Sequence, residues 1–175
     1  MYLISGYFDD VTNKRIQGYI DRVAASTGNS FMLDNKVPPH LTVSAFETRN
    51  VEHIIPVVKE MFTKLSKGNI KWVSIGQFFP YVIFLSPVLD EYLHGLCKCF
   101  YKELSSVEGI KVYPYYQPFQ WAPHATIGKT LTTEQMQRAF EVMQHSFGVF
   151  EGHIVEIGLA RTNPHEDLIR FRLDS

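Results

Sequence analysis

Twice in this chain a proline is followed by histidine, an apolar residue, threonine and a second apolar residue: Pro39-His40-Leu41-Thr42-Val43 and Pro123-His124-Ala125-Thr126-Ile127. Proline and its predecessor favour an extended approach, so each run reads as the start of a strand. Alternation along the first puts His40, Thr42 and Ser44 on one face and Leu41, Val43 and Ala45 on the other. The second places His124, Thr126 and Gly128 opposite Ala125 and Ile127. Each strand thus turns an apolar side to a core and shows an imidazole and a hydroxyl about 6.6 Å apart along the chain. Polar groups buried without partners are costly, so these faces line a cleft. A chain built this way must bring two distant strands together, placing two imidazoles and two hydroxyls around one ligand.

The rest of the sequence supplies elements for such a fold. "YLISGYF" reads as a strand at Tyr2 to Phe8, and a helix follows with Ile16, Tyr19, Ile20 and Val23 on one side and Gly28 as its stop. A second helix is expected over about Asn50 to Lys67, closed by Lys64, Lys67 and Gly68, although Pro56 argues for a start nearer to itself. "IKWVSIGQF" and "YVIFLSP" form a hairpin turning at Phe79–Pro80. Ser86-Pro87 reads as the opening of a third helix through Leu89, Leu93, Leu96, Phe100 and Leu104. A loop rich in tyrosine and proline leads to the second histidine motif. Thr132 and Gln135 then form a capping box for a fourth helix, and "EGHIVEIGLAR" and "DLIRFRL" are closing strands. Strands mixed with helices and hairpins indicate an α+β fold. The second half repeats the order of the first without its opening strand, and no linker divides them. Residues 1–175 are therefore expected to form one bilobal domain, with one motif per lobe.

Composition narrows the ligand. A net charge of −1 with 20% charged residues argues against a surface for long duplex nucleic acid. A small ligand, or the end of a nucleic acid, remains compatible. Cys97 and Cys99, two apart in a helical pattern, point away from each other and read as free thiols. No apolar run approaches the roughly 20 residues of a membrane span, and the first residues lack the features of an export signal, so the expected location is cytoplasmic. No spacing of metal ligands and no glycine-rich phosphate loop is present, so neither metal nor cofactor is expected.

Two histidines and two hydroxyls suit phosphodiester chemistry. A neutral histidine takes a proton from water or a hydroxyl while a protonated one gives a proton to the leaving oxygen. Threonine hydroxyls hold the nonbridging oxygens. At these residues the chain resembles the 2H phosphoesterase superfamily, specifically its 2′-5′ RNA ligase-like branch, whose two H-x-[ST]-x motifs correspond to His40-Leu41-Thr42-Val43 and His124-Ala125-Thr126-Ile127. The similarity extends to "YLISGYFDD", Phe46 and "IGQFFPYVIFLSPV". The resemblance implies a bilobal fold with a cleft between two pseudo-symmetric antiparallel-rich sheets flanked by helices. It also implies metal-free action on a cyclic phosphate or a 2′-5′ phosphodiester at an RNA 3′ end or a small nucleotide. By that resemblance His40 and His124 are the catalytic acid–base pair, and Thr42 and Thr126 hold phosphate. Lys129 stands where many ligase-like members carry arginine, and a lysine keeps the charge but loses the bidentate fork. A 2′-5′ RNA ligase, or a module that binds an RNA end without turnover, are the alternatives.

Further substrate contacts are expected from Tyr7, from Tyr115, Tyr116 and Trp121 as base platforms, from Lys129, and from Arg161 as an added phosphate contact. Arg170 and Arg172 read as outward-facing ion-pair partners. The remaining histidines (His53, His94, His145, His153 and His165) read mostly as surface residues.

Overall fold

A computed structural model describes residues 1–162 and 165–174. Strands β1 (Tyr2–Phe8), β2 (Leu41–Thr48), β3 (Gly68–Phe78), β4 (Val82–Pro87), β5 (Ile110–Val112), β6 (Ala125–Gly128), β7 (Phe150–Arg161) and β8 (Glu166–Arg172) join one antiparallel sheet. Helices α1 (Asp10–Thr27), α2 (Phe31–Asp34), α3 (Ile54–Phe62), α4 (Glu91–Ser105) and α5 (Thr133–Ser146) flank it, giving an α+β architecture.

The arrangement turns on β7. Its first residues pair with β3, Phe150 opposite Trp72 and Ile154 opposite Gly68. From Ile154 onward it pairs with β1 along one edge and, from Glu156, with β8 along the other. One group of strands therefore runs β5-β2-β1-β7-β8 and another β7-β3-β4-β6, joined through a shared strand. The helices cross between the groups. Helix α1 follows β1 but packs on α5 and β6, while α4 follows β4 but lies against β2 and β5. A continuous apolar core, with Phe46, Phe62, Trp72 and Phe100 fully buried, fills the space between.

Local chemistry fixes the ends of these elements. Asp9 caps α1, accepting from the N–H groups of Val11 and Thr12, each at 3.0 Å. The same carboxylate accepts from the Thr12 hydroxyl and from the His153 N–H of β7, which pins the helix to the sheet. Gly152 permits the approach, since a Cβ there would lie 2.2 Å from the Thr12 hydroxyl oxygen. Gly28 closes α1 at φ 69, in the left-handed region glycine tolerates. The capping box at Thr132 and Gln135 opens α5.

Three boundaries differ from expectation. The second helix is shorter: a 3-10 turn at Val51–His53 precedes α3, which ends at Phe62. Pro56 lies in its first turn, where a missing N–H costs nothing. Gly68 begins β3 rather than closing a helix. Ser86 and Pro87 end β4, and the next helix starts at Glu91 because Asp90 accepts from the Leu93 N–H at 2.9 Å. Two short elements, α2 and β5, lie where no helix or strand is expected. Their three or four residues are too few for a periodic pattern to show. Cys97 and Cys99 are free thiols. Among the described residues no helix is long and apolar enough to cross a membrane.

Candidate active site

His40 and His124 each stand one residue before a strand, β2 and β6 respectively. As the alternation requires, Leu41, Val43, Ala125 and Ile127 are fully buried in the core. Each imidazole is held by the same local device. His40 Nδ1 lies 2.8 Å from the Pro38 carbonyl, and His124 Nδ1 lies 2.8 Å from the Ala122 carbonyl. A carbonyl only accepts, so Nδ1–H donates in both cases and Nε2 is left with its lone pair when the ring is neutral. The intervening prolines, Pro39 and Pro123, restrict the residue before them and so hold each carbonyl in place.

The two motifs are also tied to each other. Trp121, 6% exposed, donates its indole N–H to the Thr42 carbonyl at 3.1 Å, joining the approach to β6 to the backbone of β2. The Thr42 hydroxyl is buried, 3.3 Å from the Ser5 hydroxyl on β1. Thr126 is half-buried and lines a cavity together with His40.

Burial pushes the His40 pKa down to about 4; the Pro38 bond opposes this, and charge on His165, His124 and Arg170 adds to the lowering. Burial lowers His124 too, against the opposing bond to Ala122. Both rings therefore favour the neutral form in the free site, and a proton on His124 disfavours one on His40. An anion between them would reverse that preference.

Two cavities open from this point. One, of about 210 Å³, is lined by His40, Thr126, Lys129 and His165. The other, of about 650 Å³, is lined by His124 with Phe78, Phe79, Tyr115, Tyr116 and Trp121. Phe79 and Tyr115 are 85% and 79% exposed, with faces free to stack. The His124 ring meets Phe78 edge-on at 4.7 Å. Of the residues singled out in the sequence, Tyr115 and Trp121 border the aromatic cavity and Lys129 the smaller one, its ammonium 5.7 Å from the Phe31 ring. Tyr7 lies with its ring centre 6.4 Å from that of His40. Arg161 is not brought to the histidines. It ends β7 opposite Tyr2, exposed, and pairs with Glu166.

The structure adds a group that the sequence reading missed. Arg170 keeps ion pairs with Asp167 at 3.0 Å and Glu156 at 3.4 Å, but its guanidinium also lies over the Tyr7 ring, 3.1 Å from its centre. The Tyr7 hydroxyl donates to Asp167 at 3.3 Å, and burial raises the Tyr7 pKa. Burial pulls the Asp167 carboxyl up, yet the hydrogen bond and charge of Arg170, with His165 and Tyr7 adding, leave it below its ordinary value. His165, read as a surface residue, is 15% exposed, with its ring centre 6.1 Å from that of His40. Gly158 makes room for this group: a Cβ there would lie 2.9 Å from Tyr7 Cε2 and 3.2 Å from Arg170 Cδ. One signal was available, since a glycine inside a strand often marks a close approach. Among the described residues no three His, Cys, Asp or Glu side chains converge as metal ligands.

A family model for the 2′-5′ RNA ligase superfamily matches residues 12–166. No curated protein sequence matches the chain. Among solved structures, one described as a phosphoesterase is similar at a TM-score of 0.62 and 14% identity, covering 99% of this chain and 98% of its own. E. coli LigT complexed with 3′-AMP is similar at a TM-score of 0.64 and 13% identity, with 99% and 98% covered. E. coli LigT complexed with NADP+ gives 0.58 and 14%, with 99% and 97% covered. At these identities the likeness is one of fold.

Proposed function

This chain belongs to the 2′-5′ RNA ligase superfamily, and from that membership we propose that it is a metal-independent phosphoesterase acting on a cyclic phosphate or a 2′-5′ phosphodiester at an RNA 3′ end or nucleotide. The observation that carries the reading is the matched pair of histidines. Each has Nδ1 committed to a carbonyl two residues back and Nε2 left for proton transfer. In the hydrolytic direction one Nε2 takes the proton from water as its oxygen bonds to phosphorus. The other gives a proton to the ribose oxygen as its bond to phosphorus breaks, and the pair ends with its protonation states exchanged. Thr42 and Thr126 hold the nonbridging oxygens, and the aromatic cavity stacks a base on Phe79 or Tyr115. The two groups of strands act as lobes of one domain with the cleft between them. The reverse, ligating direction would use the same groups. That E. coli LigT has been solved with 3′-AMP and with phosphate supports a nucleotide ligand.

The test is a panel of 2′,3′-cyclic nucleotides and short 2′-5′ and 3′-5′ oligonucleotides, assayed with EDTA present. Turnover is expected to survive chelation, and to fall by about 10²–10⁴-fold in His40→Ala or His124→Ala, the usual worth of a general acid or base. Loss of turnover on chelation would sink the metal-free mechanism. Binding without turnover in the unaltered protein would make it a recognition module instead.

A further inference from the structure

The two cavities beside the histidines, one at His40 and one at His124, differ in size and chemistry. The aromatic one, at about 650 Å³, falls within the roughly 300–1,000 Å³ that accommodates small molecules. The smaller, at about 210 Å³, is below that range and suits a single group. Its wall draws one residue from each histidine motif, His40 and Thr126, so whatever occupies it adjoins the reacting phosphorus. Around it stand Asn35, Lys129, and Thr162 and His165 of the β7–β8 connection, three separate segments, and no carboxylate is among its described lining residues.

Two of those groups are only loosely held. Lys129 has its ammonium over the Phe31 ring and no carboxylate partner among the described residues. His165 Nε2 is buried and lies 3.3 Å from Asp167 Oδ1, within ion-pair range but off the axis a hydrogen bond needs. With Asp167 at that distance, the imidazole lines the cavity next to His40.

We propose that this cavity, between His40, Thr126, Lys129 and His165, is a subsite for a second phosphoryl group of the same substrate. The inference rests on the phosphoesterase reading above and deepens it. The nucleoside lies in the aromatic cavity, the reacting phosphorus between the two histidines, and the further phosphate on Lys129 and His165. The chain is then selective for nucleotides that carry another phosphate, as a terminal monoester or as the next diester of an RNA strand, over those ending in a free 5′-hydroxyl.

Binding of non-reacting ligands tests this directly. Adenosine 3′,5′-bisphosphate and the dinucleotide ApAp are compared with 3′-AMP by calorimetry on the full chain. An advantage of about tenfold or more is expected for at least one of them, the worth of one charge-assisted hydrogen bond. Preference for the bisphosphate alone identifies a monoester site, and preference for ApAp identifies the diester of a strand. The ratio of affinities is expected to fall towards one in His165→Gln and in Lys129→Gln. Because the quantity read is a ratio, a general loss of binding in either variant does not mimic the result. Equal affinities for all three ligands, or a ratio unchanged in both variants, would overturn the subsite while leaving cyclic-nucleotide turnover intact. Failure to bind any of the three, together with no turnover of cyclic nucleotides, would overturn the phosphoesterase reading itself.

Discussion

His40 sits among groups that disfavour its charge, and the consequences for pH have a definite sign. Its folded pKa is about 4 against an ordinary 6.5, so the unfolded chain binds the extra proton first. The stability this contributes is complete above pH 6.5 and is lost as pH falls from 6.5 towards 4, by at most about 3 kcal/mol. Denaturant melts of His40→Gln across that window are expected to show a shallower acid decline than the unaltered chain; an identical slope would contradict the placement of His40. Catalysis carries the same mark. If one neutral and one protonated histidine are needed, kcat/KM peaks below pH 6.5, while kcat, set in the anion-bound site, peaks higher. A profile flat from pH 5 to 8 would count against the pair. Pro39→Ala and Pro123→Ala are expected to lower kcat by about tenfold, one 1.4 kcal/mol step, while the melting midpoint hardly moves, because they loosen only the carbonyls that aim the rings. At this scale much was legible, since alternation alone puts His40 with Thr42 and His124 with Thr126. Arg170 and His165 were not, because nothing within "DLIRFRL" or beside His165 says which side chain of another strand it will meet.

Among the elements, the start of α1 carries the heaviest local load. Asp9 satisfies helix donors and also the His153 N–H of β7. Asp9→Ala is therefore expected to cost about 2 kcal/mol, the upper end for a helix cap, read as a lowered denaturant midpoint. Thr132→Ala, whose hydroxyl caps α5 alone, should cost about half that. Gly158→Ala tests the close approach of β7 to Tyr7 and Arg170. An added methyl there meets both side chains and the Ile169 carbonyl, for an expected cost of about 1–3 kcal/mol. Long amphipathic helices with strong caps, α1 and α5, were readable to within a residue or two. The helix expected at Ser86-Pro87 was not, because a proline that can open a helix can equally end a strand, and Asp90 supplied the better cap four residues after Ser86. The hairpin of β7 and β8 was legible in the order of the elements, but what it brings together was not. Its register shifts between Leu159 and Ala160, so simple alternation does not carry Arg170 and Asp167 to the face they share with Tyr7.

For the molecule as a whole, the shared β7 and the crossing helices mean that neither half of the sequence owns a complete core. Removal of residues 148–175 takes a strand from both groups at once, and the remaining chain is expected to lose its cooperative thermal transition rather than keep one folded lobe. In the full chain, far-ultraviolet circular dichroism and tryptophan fluorescence should report one coincident midpoint, since Trp72 and Trp121 lie in the same core. Sequence order suggested two like halves; it could not show that α1 packs on β6 or α4 on β2, because those contacts join residues far apart in the chain. The carbonyl that aims each histidine has a different reach. It comes from two residues back in both motifs, so the orientation of each ring is written into a tripeptide, whereas the gap between the rings is set by distant strands. Aim and aperture are thus separate inheritances. A descendant of this chain can widen or narrow its mouth for a new substrate by altering how the strands carrying the two motifs are held, while the proton-transfer cassettes travel unchanged.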